Sequence, residues 1–149
     1  MNAELSVCIF FITLLEVYMN DLEMLSECRL RNLCCSQTLV QMGLYLREEE
    51  NDQMVSAVGG LCGGMRSGVD CGALAGAVIM LGLFDANLAN TQLISELVDW
   101  FSDRFGHTAC LVILEGDMSN RIQRCPGIIK DTYLYAKGLL LEYGLIEQE

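Results

Sequence analysis

The run from Val58 to Leu83, VGGLCGGMRSGVDCGALAGAVIMLGL, constrains this chain more than any other stretch. It opens with a loop holding Gly59, Gly60, Gly63, Gly64 and Gly68. Asp70 and Cys71 follow where a helix should start, and Ala73 to Leu83 then carries no charge. A helix that is apolar all round has no face for water, so it belongs inside the fold. Gly72, Ala73, Gly76 and Ala77 fall one turn apart and let other backbones come close. Cys71 is thereby placed at the N-terminal mouth of a central buried helix, where free N–H groups and the macrodipole favour a thiolate.

The rest of the chain reads as helices around that one. Leu5 to Met19 predicts a first helix, broken at Asn20 and Asp21, with a second from Asp21 to Arg29. Asn32 is a candidate N-cap for a helix from Leu33 to Arg47, with Leu39, Met42, Gly43 and Leu46 on one face. Glu48 to Asp52 is a charged turn, and Gln53 to Val58 a short helix that ends in the glycines. Thr91 to Phe105 is amphipathic, with Leu93, Leu97, Phe101 and Phe105 in one stripe and Gly106 as its stop. Trp100 reads as core. Pro126 suits the first position of a last helix reaching Tyr143, which puts Cys125 at its N-cap. Val112 to Leu114 is the one candidate strand. The expectation is an all-α fold: a bundle of about six helices around the buried one, as one domain over residues 1–149.

Nine basic against twenty acidic residues give a net charge of −11. Such a surface repels nucleic acid and anionic lipid, so nucleic acid is set aside as a partner. Leu5 to Leu15 is uncharged but far shorter than the roughly 20 residues of a membrane span. It reads as a buried or interface helix, and no membrane span is expected. No signal peptide is visible, so the expected location is cytoplasmic. Cysteines there are more often metal-binding, catalytic or buried than bridged.

There are eight cysteines, many for 149 residues. Cys35 falls in the first turn of a helix, Cys71 begins one, Cys125 caps one, and Cys110 lies near the start of a short one after Thr108. Each setting lowers a thiol's pKa, and thiolates bind soft metals and attack disulfides. Spacing alone favours a plainer role, since free cysteine is commonly a small buried hydrophobe and no C-x-x-C is present. Cys8 and Cys28 are assigned to that role. His107 reads as a polar cap. No Ser/His/Asp set or H-E-x-x-H supports hydrolysis. Phosphate binding through Arg66 and the loop amides is a minor alternative.

The run GGMRSGVDCGALAG, with Cys35-Ser36-Gln37 before it and two cysteines after it, resembles the small redox-active proteins labelled C_GCAxxG_C_C. Their C-G-A-x-x-G motif stands here as Cys71, Gly72, Ala73, Leu74, Ala75 and Gly76. The resemblance covers Asn32 to Tyr143. It implies a site of four cysteines, Cys35, Cys71, Cys110 and Cys125, active in redox chemistry or holding a metal: zinc or an iron–sulfur cluster. Cys34 competes with Cys35 for the matching position. Cys62 is an additional sulfur, a fifth ligand or a resolving thiol. The leading expectation is thus a thiol oxidoreductase or electron-transfer accessory with a redox partner protein, Cys71 being the attacking thiol. Two alternatives stand beside it. One is a non-catalytic interaction protein whose first helix forms a homodimer or partner interface. The other is a small-ligand carrier using the glycine loop.

Overall fold

The structure, a computed structural model, describes residues 3–147, and their side chains except those of residues 3–9 and Leu14. It is all-α. In chain order come α1 (Ala3–Leu30), α2 (Cys35–Leu46), α3 (Asp52–Ala57), α4 (Gly72–Phe84) and α5 (Ala86–Leu88). A wide helical turn at Ala89–Leu93 leads into α6 (Ile94–Phe105), followed by α7 (Cys110–Ile113) and α8 (Arg121–Glu142). Among the described residues the β contact is an isolated antiparallel bridge between Asp70 and Ala109.

The uncharged run becomes α4, and no residue from Cys71 to Phe84 is exposed. It packs against α2, α6 and α8. Leu39 and Met42 of α2, Leu97 and Phe101 of α6, and Tyr133, Ala136 and Leu140 of α8 meet it in one core. The small residues permit the closest of these approaches. A Cβ at Gly76 would stand 2.8 Å from the Cα and carbonyl O of Ser36 and from the Cβ of Leu39. On the reverse side of the pair, Gly43 of α2 receives Met80, whose Cγ lies 3.0 Å from where a Cβ would be. The predicted stripe of α6 holds, with Leu93, Leu97 and Phe101 fully buried and Phe105 packed at the edge. Gly106 closes α6 with a φ of 80°, the left-handed conformation that suits glycine. Trp100 stacks on Tyr135 with ring centroids 4.3 Å apart.

Four local expectations are corrected. The first helix does not break at Asn20 and Asp21; α1 runs on to Leu30. Asp21 is 3 % exposed and paired with Lys137 of α8 at 2.5 Å, and this tertiary pairing outweighs the weak helix propensity of the two residues. Asn32 is not a cap for α2 but a left-handed residue with φ 57° at the end of α1. Cys34 takes the cap position, its N–H donating to Gln37 Oε1 at 3.1 Å. Val112 to Leu114 is no strand, since α7 spans Cys110–Ile113 and Leu114 follows it.

The fourth correction concerns Cys125. Helix α8 begins at Arg121, so Cys125 lies in its second turn and Pro126 inside it. Arg124 anchors that early start, donating to the Ile113 carbonyl at 2.7 Å and pairing with Glu115 at 2.8 Å. Proline takes one hydrogen bond from the helix, the one due to the carbonyl of Ile122, and Ile122 is exposed to water. Of the expected buried or interface helix at Leu5 to Leu15, Phe10, Phe11, Ile12 and Leu15 are all more than half exposed, and the side chains of residues 5–9 and Leu14 lie outside the described residues. Among the described residues, no helix is long and apolar enough to cross a membrane.

Candidate functional site

Six sulfurs line one cavity of about 570 Å³: Cys34, Cys35, Cys62, Cys71, Cys110 and Cys125. Each arrives there through a local contact. Cys71 and Cys110 are brought together by the Asp70–Ala109 bridge, in which the Cys71 N–H donates to the Thr108 carbonyl at 2.8 Å and the Cys110 N–H to the Val69 carbonyl at 2.7 Å. Thr108 Oγ1 donates to Asp70 at 3.0 Å and closes the same corner. The start of α2 is held to the glycine loop by Ser36, whose Oγ donates to the Val58 carbonyl at 2.7 Å, and to α3 by Gln37, whose Nε2 donates to the Val55 carbonyl at 3.1 Å. That seam places Cys34 against Cys62, and the two form a disulfide.

Cys34, the alternative to Cys35, is bonded in this disulfide, and Cys35 is free, as are Cys71, Cys110 and Cys125. Cys62, expected as a fifth ligand or a resolving thiol, is the other half of the bridge. Nothing in the sequence pointed to this pairing, because it depends on Ser36 and Gln37 reaching carbonyls 18 to 22 residues further along the chain.

Gly72 explains the glycine after Cys71. A Cβ there would stand 2.5 Å from Cys35 Sγ and 2.9 Å from the Leu61 carbonyl O. Its absence is the space that the Cys35 sulfur occupies. Burial is the main cause that raises the pKa of Cys71, Cys110 and Cys125, and the nearness of Cys35 adds to it at all three. Cys35 and Cys125 are half-buried, whereas Cys71 and Cys110 are buried.

The thiolate expected at Cys71 is reversed. Cys71 does cap α4, and the backbone N–H groups of Ala73 and Leu74 favour its anion, but burial is the larger effect and pushes the thiol up to about 12. Burial likewise pushes Cys125 up to about 11, with Arg121 opposing it, and raises Cys110. A helix start lowers a thiol's pKa only where water also reaches the sulfur. Cys28 is fully buried in the main core, its thiol pushed up to about 11, in keeping with a packing role. Cys8 has its side chain outside the described residues. His107 caps the backbone, its Nδ1 accepting from the Ala109 N–H at 2.9 Å.

The donor set of four free thiols suits a soft metal, but its placement does not. Among the described residues, no three of His, Cys, Asp and Glu are grouped so as to hold an ion. A larger hollow of about 1040 Å³, bordered by Tyr45, Arg47, Phe84 and Lys137, has no cysteine in its lining among the described residues.

Residues 33–139, well over half of the chain, match the family described as "Putative redox-active protein (C_GCAxxG_C_C)". The chain belongs to this family. The match begins just before the Cys34–Cys35 pair and ends past Cys125, so all six cavity sulfurs of this C_GCAxxG_C_C protein fall within it. A search of curated proteins and a search of solved structures each return no match.

Proposed function

We propose that the chain is a thiol–disulfide redox protein whose working groups are the cavity sulfurs, with Cys35 as the attacking thiol. The observation that carries this reading is the shared cavity: four free thiols and one disulfide face the same space. Cys35 is half-buried, so a substrate sulfur reaches it more readily than it reaches Cys71 or Cys110. Cys71, Cys110 and Cys125 are the resolving candidates, and burial raises the pKa of each.

A cytoplasmic location belongs to the same proposal. Structural disulfides do not persist in a reducing compartment, which makes Cys34–Cys62 a transient, functional bridge on this reading. The test is equilibration of the native protein in anaerobic redox buffers, followed by alkylation, mass spectrometry and elemental analysis. Reversible two-electron changes confined to the six cavity cysteines, with Cys28 unmodified throughout, are expected. Native thiols that stay inert until denaturation would leave a helical interaction protein. Stoichiometric metal with a charge-transfer absorption band would replace the dithiol reading with a metal centre.

A further inference from the structure

The cavity rim carries a charge pattern opposite to that of the chain. With nine basic and twenty acidic residues the protein is strongly anionic, yet among the described residues no aspartate or glutamate lines the sulfur cavity. Four of the nine basic side chains do: Arg29, Arg66, Arg121 and Lys130. Among the described residues, ion pairing divides eight of the nine cations the same way, while the ninth, Arg31, neither lines the cavity nor pairs with a carboxylate. Arg47, Arg104, Arg124 and Lys137, none of them at the cavity, each pair with a carboxylate. Among the described residues, none of the four rim cations has a carboxylate within salt-bridge distance. Arg66 is aimed by the glycine loop: it takes a left-handed φ of 58°, and its Nη2 donates to the Gly59 carbonyl at 2.9 Å. Between rim and sulfurs the walls are largely apolar, from Leu22, Leu25, Leu33, Ile128 and Ile129. At about 570 Å³ the space is of the size that takes a small organic molecule.

Resting on the redox reading above, we infer that the substrate of this site is a small organic anion: a carboxylate-bearing disulfide, or the thiol it yields. The carboxylates meet the rim guanidinium and ammonium groups, the carbon body lies on the apolar wall, and the sulfurs reach Cys35. An inorganic oxyanion would satisfy the rim but leave the apolar wall unused. The step balances as follows. The Cys35 thiolate attacks one sulfur of R–S–S–R, forming a mixed disulfide and expelling R–S⁻. A second cavity thiol, as its thiolate, attacks the Cys35 sulfur, closes an intramolecular disulfide and expels the second R–S⁻. Two cysteine thiols lose two electrons and two protons, and the substrate disulfide gains the two electrons. Local cationic charge in a cleft raises the concentration and arrival rate of an anion, here against a repulsive net charge.

The test uses the reduced full-length protein and three probes: dithiobis(nitrobenzoate), which is anionic, dithiodipyridine, which is neutral, and cystamine, which is cationic. Rates are measured by stopped flow and divided by those of a small reference thiol, for wild type, Arg121→Gln, Lys130→Gln and Arg104→Gln. The anionic probe should be preferred over the other two. The preference should fall about two- to fivefold for each rim charge removed, fall with added salt, and stay unchanged in Arg104→Gln, whose charge is away from the cavity. Reaction with all three probes without an anion preference overturns this inference and leaves the redox reading standing. Reaction with none overturns the redox reading itself.

Discussion

Replacing Gly76 by alanine should separate α2 from α4 and destabilise the fold, although alanine is the better helix former. The opposing effects can be weighed. Removing a glycine from a helix interior gains about 0.5–1 kcal/mol in chain entropy. Against this, the new methyl would stand 2.8 Å from three atoms, and two of them are backbone, the Cα and carbonyl O of Ser36. Backbone cannot swing aside as a side chain can, so the helices must part. Overpacking of this kind costs about 1–3 kcal/mol, with this site at the upper end because the contacts are rigid. The net expectation is a loss of about 2 kcal/mol, or roughly 4–8 °C in Tm for a chain of this size. Gly138 of α8 supplies the matched control, since a Cβ there meets nothing within 4 Å. Gly138→Ala should raise stability by about 0.5–1 kcal/mol. Urea unfolding at fixed redox state measures both. Equal stabilisation by the two substitutions would show that α2 and α4 are not in backbone contact at Gly76, and the account of the C-G-A-x-x-G glycines would fail with it.

Other outcomes follow from the same structure. Lys137→Met should cost about 3 kcal/mol or more in urea unfolding, because it leaves Asp21 buried without a counter-charge, and Asp21→Leu added to it should restore much of the loss. Reducing Cys34–Cys62 releases a loop of 28 residues and should lower stability by about 3–4 kcal/mol, read as a Tm difference with and without reductant that vanishes in Cys34→Ser/Cys62→Ser. Stability should also fall as the pH rises above 9. Cys71 is pushed from 9.0 to about 12 and Cys28 and Cys125 to about 11, so between those values the unfolded chain has lost protons that the folded chain keeps. Each fully retained proton costs about 1.4 kcal/mol per pH unit in that window. A urea midpoint that holds steady from pH 8 to 11 would contradict the burial of these thiols.

The helical class and the central place of α4 were legible because an uncharged run rich in small residues leaves little choice. The stripe of α6 and its Gly106 stop were legible for the same reason: periodicity and a left-handed stop are local properties. What misled was tertiary. Asn20 and Asp21 look like a break until Lys137 is seen across from them, and Cys71 looks like a thiolate until its burial is known. The placing of Cys35, Cys71, Cys110 and Cys125 near helix starts and the family resemblance both pointed to one shared site, while the contacts that join them, such as the backbone bond from Cys110 to Val69, had no sequence signal. The Cys34–Cys62 bridge had none either, and of the basic rim only Arg66 stood out. Charge balance over a whole chain conceals where its few cations stand.

The glycines of α4 also set what a redox cycle can look like. With Ser36 backbone in van der Waals contact at Gly76 and the Cys35 sulfur lodged at Gly72, the two helices behave as a single rigid strut. Electrons gained or lost in the cavity then have to be accommodated by sulfur rotamers and by the loop that carries Cys62, and not by hinge motion of the bundle. Small-angle scattering should report one envelope for both oxidation states, while chemical shifts change around the cavity sulfurs and in the loop that carries Cys62.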